Sequence, residues 1–179
     1  MPERLHFTDD DGANELIARD PMALLIGFAL DQQVPLQKAF SGPRVVLERV
    51  GTLDPFRLAE ADLDGPFREK PAIHRFPGAM AQRVRELAQV VVEEYGGDAS
   101  RVWREAADAE DLRRRIASLP GFGEMKVKAL ASVLAKRFGV EQAQDLAPSH
   151  PSLGDIDSAE TRAAYQEAKR AYKASLKAR

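Results

Sequence analysis

The chain has 179 residues, of which 44% are hydrophobic and 30% are charged, the composition of a soluble globular protein that is long enough to bury a core. It contains no cysteine, which excludes disulfides, thiolate zinc sites and a cysteine-ligated iron–sulfur cluster. The formal net charge of −2 argues against a polyanionic partner unless positive charge is concentrated in one region.

The first sixteen residues, MPERLHFTDDDGANEL, contain no basic stretch followed by an apolar one, so we predict no signal peptide and expect a cytoplasmic protein. The longest apolar run, residues 21–30, is much shorter than the roughly 20 residues that span a bilayer. We therefore expect no membrane partner, and we expect a monomer.

The first predicted helix begins at Asp20-Pro21, where aspartate is a good N-cap and proline is tolerated at the first helical position. Residues 21–30 are apolar nearly all round, which is typical of a helix buried on most sides. It leads into Asp31-Gln32-Gln33, and two amides at the end of a buried helix are unusual. A helical pattern resumes over residues 36–50, and Ser41-Gly42-Pro43 predicts an interruption within it.

Helical periodicity continues through the rest of the chain, and no stretch of alternating residues is long enough to predict a strand. A loop is predicted at residues 70–78 and another at 147–154. The fold is therefore expected to be all-α. The remaining predicted helices cover residues 53–60, 80–95, 99–106, 109–118, 124–138 and the segment from about 158.

Charge is distributed unevenly along this helical chain. Residues 1–20 contain two basic and six acidic side chains, whereas residues 113–137 contain seven basic side chains and a single acidic one, Glu124. The second segment could attract phosphate. A charge run on a helix is also typical of an ordinary solvated face, so charge alone leaves both interpretations open.

The basic segment contains the motif Leu119-Pro-Gly-Phe-Gly123 between two predicted helices. Glycine permits positive φ and close approach of another backbone, and the free N–H groups at the start of the second helix suit a phosphate. Lys126 and Lys128 flank the inward stripe of that helix. A simple helix-to-helix turn with a glycine C-cap is the alternative.

The motif resembles the hairpin of the helix-hairpin-helix (HhH-GPD) superfamily of base-excision DNA glycosylases, which includes endonuclease III-like enzymes. Residues 24–33, ending in Asp31-Gln32-Gln33, look like the family's early buried helix, and Phe76-Pro-Gly-Ala-Met80 looks like its wedge loop. The resemblance covers roughly residues 18–140. It implies a compact orthogonal helical protein with two small lobes, a cleft and no iron–sulfur cluster.

By this resemblance residues 1–140 form the helical core, with the hairpin at 119–123. Residues 141–157 form a loop, and residues 158–179 form a C-terminal basic helix that packs on the core. The implied partner is double-stranded DNA that carries damage. The residues implied to contact it are Gln32 or Gln33 in the gap left by an extruded base, Phe76 (or Met80) as the wedge, and Gly121, Phe122, Gly123, Lys126 and Lys128 on the damaged strand.

The resemblance also implies a catalytic aspartate after the second hairpin helix, usually in a Val-Asp-x-His context. That pattern is missing here, and Asp145 is the nearest candidate; the weaker alternatives are Glu141, Asp155 and Asp157. Bifunctional relatives use a lysine early in that helix as a Schiff-base nucleophile. Lys126 fits this role but lies one residue later than usual, and one residue turns a helix by about 100°.

The three histidines, His6, His74 and His150, are too scattered to indicate a metal site, and we expect neither a metal nor a cofactor. His74 lies beside the wedge, where it could contact DNA or have a structural role. Three functions remain open from the sequence: a DNA glycosylase-like enzyme with weak lyase activity, a non-catalytic protein that binds damaged or kinked DNA, and a helical protein-interaction domain.

Overall fold

The computed structural model describes residues 2–178. Residues 1 and 179, the outer limits of the predicted core and of the predicted C-terminal helix, lie outside this range. The described residues form helices and no strands, which confirms the all-α prediction. The α-helices are α1 (Asp11–Arg19), α2 (Pro21–Leu30), α3 (Leu36–Val50), α4 (Pro55–Leu58), α5 (Asp64–Arg68), α6 (Pro77–Tyr95), α7 (Arg101–Arg104), α8 (Ala109–Ala117), α9 (Glu124–Lys136) and α10 (Ala159–Lys177), and two 3-10 helices lie at η1 (Glu141–Ala143) and η2 (Leu153–Asp155).

Helix α2 is the centre of the molecule, and nine of its ten residues are buried. It crosses α3 closely because two glycines lie in the contact. A Cβ atom on Gly27 would be 2.5 Å from the Phe40 ring, and one on Gly42 would be 2.4 Å from a methyl carbon of Leu30. The α2–α3 contact thus depends on small residues at two positions.

The predicted interruption at Ser41-Gly42-Pro43 is wrong, because α3 continues through Pro43. A proline inside a helix costs about 3 kcal/mol through its missing N–H and its ring. Gly42 and Pro43 are both buried, and the packing of this segment against α2 offsets that cost.

Two short helices were not predicted. Asp10 is the N-cap of helix α1, and its side chain accepts a hydrogen bond from the Ala13 N–H at 3.2 Å. The buried residues of α1, Ala13, Asn14, Ile17 and Ala18, recur at helical spacing. Helix α5 has only five residues and packs on α6, too short to produce a periodic pattern.

The predicted loop at residues 141–157 contains η1 and η2, and both pack against α9. The Gly154 N–H donates to the Ser132 hydroxyl at 2.8 Å. A Cβ on Gly154 would lie 2.2 Å from the Ser132 carbonyl oxygen. This segment is therefore fastened to the helix that follows the hairpin.

Helix α10 is attached to the rest of the chain near its start. Arg162 is buried, donates to the carbonyl oxygens of His6 and Thr8, and pairs with Asp9. Tyr165 packs against the core, whereas residues 167–178 are exposed. No helix within residues 2–178 has the length and apolar character needed to cross a membrane.

Candidate functional site

The hairpin between α8 and α9 is a tight turn with buried flanks. Leu119 and Phe122 are buried, and the Phe122 N–H donates to the Leu119 carbonyl oxygen at 3.1 Å. Gly121 has φ +79°, and a Cβ there would be 1.7 Å from a guanidinium nitrogen of Arg83. The backbone conformation therefore favours glycine at position 121, and a larger residue would also displace the Arg83 side chain.

The second hairpin glycine has a different role. Gly123 is the N-cap of α9 and has an extended backbone; no side chain caps the helix, and the position of its Cβ is open space. The first N–H groups of a helix have no partner within the helix and carry positive dipole character. The start of α9 is thus accessible to an acceptor approaching from solvent.

Lys126 is half-buried, whereas Met125 and Lys128 are exposed. Its Nζ donates to the Ala29 carbonyl oxygen at 3.3 Å and lies 5.6 Å from the centre of the Phe122 ring. Burial lowers the pKa of the Lys126 ammonium group. Met125 is 87% exposed and Lys128 is exposed, so Lys126 is the early α9 side chain that faces the end of α2.

Asp31 caps that end of α2. Burial raises the pKa of its carboxyl group, and the ammonium groups of Lys169, Lys126 and Lys173 partly offset this effect. Burial raises the pKa of the Tyr165 hydroxyl, and the Asp31 carboxylate adds to this effect. A carboxylate is disfavoured at a helix C-terminus, where only carbonyl oxygens are free, so the lysines of α9 and α10 supply the compensating charge.

His74 connects the loop at residues 70–76 to the same end of α2. Its Nε2 lies 3.0 Å from the Leu30 carbonyl oxygen and 3.1 Å from that of Gln32, and its Nδ1 accepts the Phe76 N–H at 2.9 Å. These partners require a neutral ring with the proton on Nε2, and burial lowers the pKa of His74. His74 is therefore a buried positioning residue.

The three predicted DNA-inserting residues lie around this connection. Phe76 is 41% exposed, and the Arg75 guanidinium lies 5.3 Å from its ring centre. Gln32 and Gln33 are exposed. Gln33 has φ +58°, a left-handed backbone conformation that is uncommon for residues other than glycine. Exposed side chains at a fixed turn are suited to contact with another molecule.

In the structure, acidic side chains neutralise part of the positive charge of residues 113–137. Arg114 and Arg115 pair with Asp111, and Arg113 pairs with Glu110, two acids that lie just before the counted window. The positive groups that remain near Asp31 and the hairpin come from several elements. They are Arg83, Lys126, Lys128, Lys169 and Lys173.

Most of the predicted site residues lie near the end of α2, and Asp145 lies elsewhere. Gln32, Phe76 and Lys126 are joined through the last turn of α2 and His74, with Gly121 and Gly123 in the adjoining hairpin. Phe122 has a buried side chain, so the expected DNA contact through that side chain does not fit its position. Its ring packs beneath Lys126.

Asp145 lies apart from this arrangement. It is exposed in the turn after η1, and none of the hydrogen bonds or ion pairs within residues 2–178 joins it to Lys126 or Asp31. Of the alternatives, Asp155 binds Lys136 at 2.8 Å and accepts the Ser152 N–H, and Asp157 contacts Thr161. These two aspartates have local structural partners.

Sequence reasoning missed Asp31 as a site residue and did not assign Arg83, Lys169 or Lys173. One signal was available: an aspartate directly after an apolar helix lies at the unfavourable end of the helix dipole. The lysines of α10 gave no such signal, because the sequence does not indicate which face of α10 turns inward.

Within the described part of the chain, no group of three or more histidine, aspartate or glutamate side chains is placed to hold a metal ion. No family model, curated protein or solved structure matches the chain.

Proposed function

We propose that this chain binds damaged double-stranded DNA and acts on an extruded nucleotide as a DNA glycosylase-like enzyme of base-excision repair. One observation carries the proposal: three segments that the sequence predicts to contact distorted DNA lie around one helix end. They are the hairpin 119–123, which is linked to this end through the contacts of Lys126 with Phe122 and the Ala29 carbonyl oxygen, the exposed amides Gln32 and Gln33, and the exposed ring of Phe76.

The surroundings of that helix end support the proposal. Phosphate binding requires local positive charge. Lys126, Lys169 and Lys173 act on the Asp31 carboxylate, and Arg83 acts on Lys126. Extruding a nucleotide requires side chains that fill the gap and hold the neighbouring bases apart. The exposed amides and the exposed aromatic ring are of the types suited to this task.

A non-catalytic DNA-binding function is the second candidate, and the position of Asp145 favours it. Cleavage of a glycosidic bond requires a carboxylate near the anomeric carbon, and Asp145 is exposed and separate from the inward-facing Lys126. The two candidates share the same DNA-binding surface and differ in turnover.

The test is incubation of the purified protein with duplexes that carry uracil, 8-oxoguanine, an alkylated purine or an abasic site. Strand breaks are measured before and after alkali, and binding is measured in parallel at two salt concentrations. Breaks that require alkali at one lesion indicate a monofunctional glycosylase. Salt-dependent binding without any break supports the non-catalytic candidate, and absence of binding contradicts both.

The hairpin can be tested with Gly123→Glu, because position 123 has an extended backbone and open space. A carboxylate there should repel phosphate and weaken DNA binding at least about 10-fold, with little dependence on sequence. Gly65→Glu is the matched control, since its Cβ position is also open and it lies in α5. Equal affinities for the two variants would contradict the hairpin assignment.

A further inference from the structure

Asp31 and Lys126 meet at the last turn of α2 without neutralising each other. Lys126 reaches the Ala29 carbonyl oxygen at 3.3 Å, and Asp31 lies two residues further along the chain. The two charges attract, but they are not joined by an ion pair of 4.0 Å or less in the part of the chain that the structure describes. The amine of Lys126 and the carboxyl group of Asp31 thus lie at the same end of α2 without forming an ion pair with each other.

The environment makes both side chains chemically unusual. Burial favours the neutral amine of Lys126, the form that acts as a nucleophile. Burial also makes the Asp31 carboxylate a stronger proton acceptor than an exposed aspartate. A neutral amine beside a basic carboxylate is a nucleophile with a proton acceptor at hand.

We propose that Asp31 is the proton-transfer residue for Lys126 when the Lys126 amine attacks an abasic deoxyribose in DNA. This inference rests on the proposed function, since DNA must bind at this helix end for the sugar to reach the two groups. It assigns the carboxylate role to Asp31 rather than to the exposed Asp145.

The step forms one bond and breaks another. The Lys126 nitrogen attacks C1′ of the ring-opened sugar aldehyde and forms the N–C bond. Asp31 accepts a proton from the nitrogen and delivers it to the former carbonyl oxygen; the second amine proton follows the same route. The C–O bond then breaks, water leaves, and a Lys126 imine remains with Asp31 again ionised.

Several helices contribute charged or titratable side chains near Lys126 and Asp31. Arg83 of α6 acts on Lys126, the positive charge of Lys126 acts on His74, and Lys169 and Lys173 of α10 act on Asp31. Tyr165 of α10 also faces Asp31. Cations near Lys126 lower the pKa of its ammonium group, whereas the Asp31 carboxylate raises it.

The experiment is reductive trapping on a duplex with one abasic site. The full-length protein is incubated with this duplex and cyanoborohydride over a range of pH, and covalent adduct is measured against time. We expect adduct with the wild-type protein and none with Lys126→Arg, which keeps the positive charge. Asp31→Asn should lower the trapping rate about 100-fold, the scale of a lost acid–base group.

The pH profile separates chemistry from structure. Trapping requires the neutral amine, so its rate rises as pH passes the pKa of Lys126. Because the Asp31 carboxylate raises that pKa, Asp31→Asn should also move the midpoint to lower pH. Asp20→Asn, at the opposite end of α2, is the control and should leave both the rate and the midpoint unchanged.

Binding is measured for every protein, so the two proposals fail in different ways. Binding of the abasic duplex without any adduct overturns the imine and leaves DNA binding in place. Adduct that persists in Asp31→Asn at the wild-type rate, or a lower rate with an unmoved midpoint, overturns the role of Asp31. Absence of binding overturns the proposed function itself.

Discussion

The two ends of α2 each carry an aspartate in a partly buried position, and burial raises the pKa of both carboxyl groups. Asp20 precedes the helix and accepts the N–H groups of Met22 and Ala23 at 2.9 and 3.4 Å. Asp31 follows the helix, where no N–H groups of the helix are free, and its nearest favourable charges are lysines from α9 and α10.

The comparison separates a structural carboxylate from a candidate functional one. At Asp20 the backbone N–H groups of α2 stabilise the carboxylate, so N-capping of that helix accounts for this residue. At Asp31 the local backbone disfavours the charge, and only distant elements compensate for it. A residue whose charge its local environment disfavours is a better candidate for function than one that its own helix stabilises.

The largest effect on stability is expected at the Asp31 end, from His74→Ala. The buried ring bonds the Leu30 and Gln32 carbonyl oxygens and the Phe76 N–H. Its loss leaves these groups unpaired beside a cavity and should lower the free energy of unfolding by about 3 kcal/mol. Urea unfolding at pH 7 measures this value. His150→Ala, at an exposed position, is the control, and a similar loss there would show that His74 has no special role.

A smaller loss is expected at the other end, from Asp20→Ala. Removal of an N-cap costs about 1 kcal/mol, whereas Asp20→Asn keeps a capping side chain and should cost much less. The same urea experiment compares the two variants. If both lose the same amount, the hydrogen bonds to Met22 and Ala23 are not what makes Asp20 stabilising.

The smallest effect, and one of opposite sign, is expected from Asp31→Asn. A carboxyl group whose folded-state pKa is raised above its usual 3.8 stabilises the fold at low pH and loses that contribution as pH rises. The variant should therefore be more stable than wild type at pH 7, by less than about 1 kcal/mol, and the difference should shrink at pH 3.5. A variant that is less stable at pH 7 would place Asp31 in the same class as Asp20.

Much of the helical fold follows from local sequence. Asp20-Pro21 and the apolar run to Leu30 specify α2, and the two-glycine hairpin marks the start of α9. The sequence misleads at Pro43, where burial of the Gly42-Pro43 segment against α2 outweighs the local signal for a break. Helix α1 was missed although Ala13, Ile17 and Ala18 recur at helical spacing after the N-cap Asp10.

The exposed residues of the site could be predicted from the sequence, but the arrangement of charges around Asp31 and Lys126 could not. Gln32, Phe76 and the hairpin glycines are recognisable from short motifs. Lys126 could be named but not oriented, since one residue of helix turn decides whether it faces α2 or solvent. A count of charges along the sequence does not show that Arg113 pairs with Glu110 on α8. It also does not show that tertiary packing brings Lys169 near Asp31.

The anchoring of α10 by Arg162 has a consequence for how the protein is made. Arg162 binds residues 153 to 156 positions earlier in the chain, and the helix that it anchors carries Lys169 and Lys173. On the ribosome, residues 6–9 are made before Arg162 and cannot bind it until the residues between them have been made. The positive charge around Asp31 is therefore complete only after α10 has been made, so a nascent chain contains α2 and the hairpin before it contains Lys169 and Lys173.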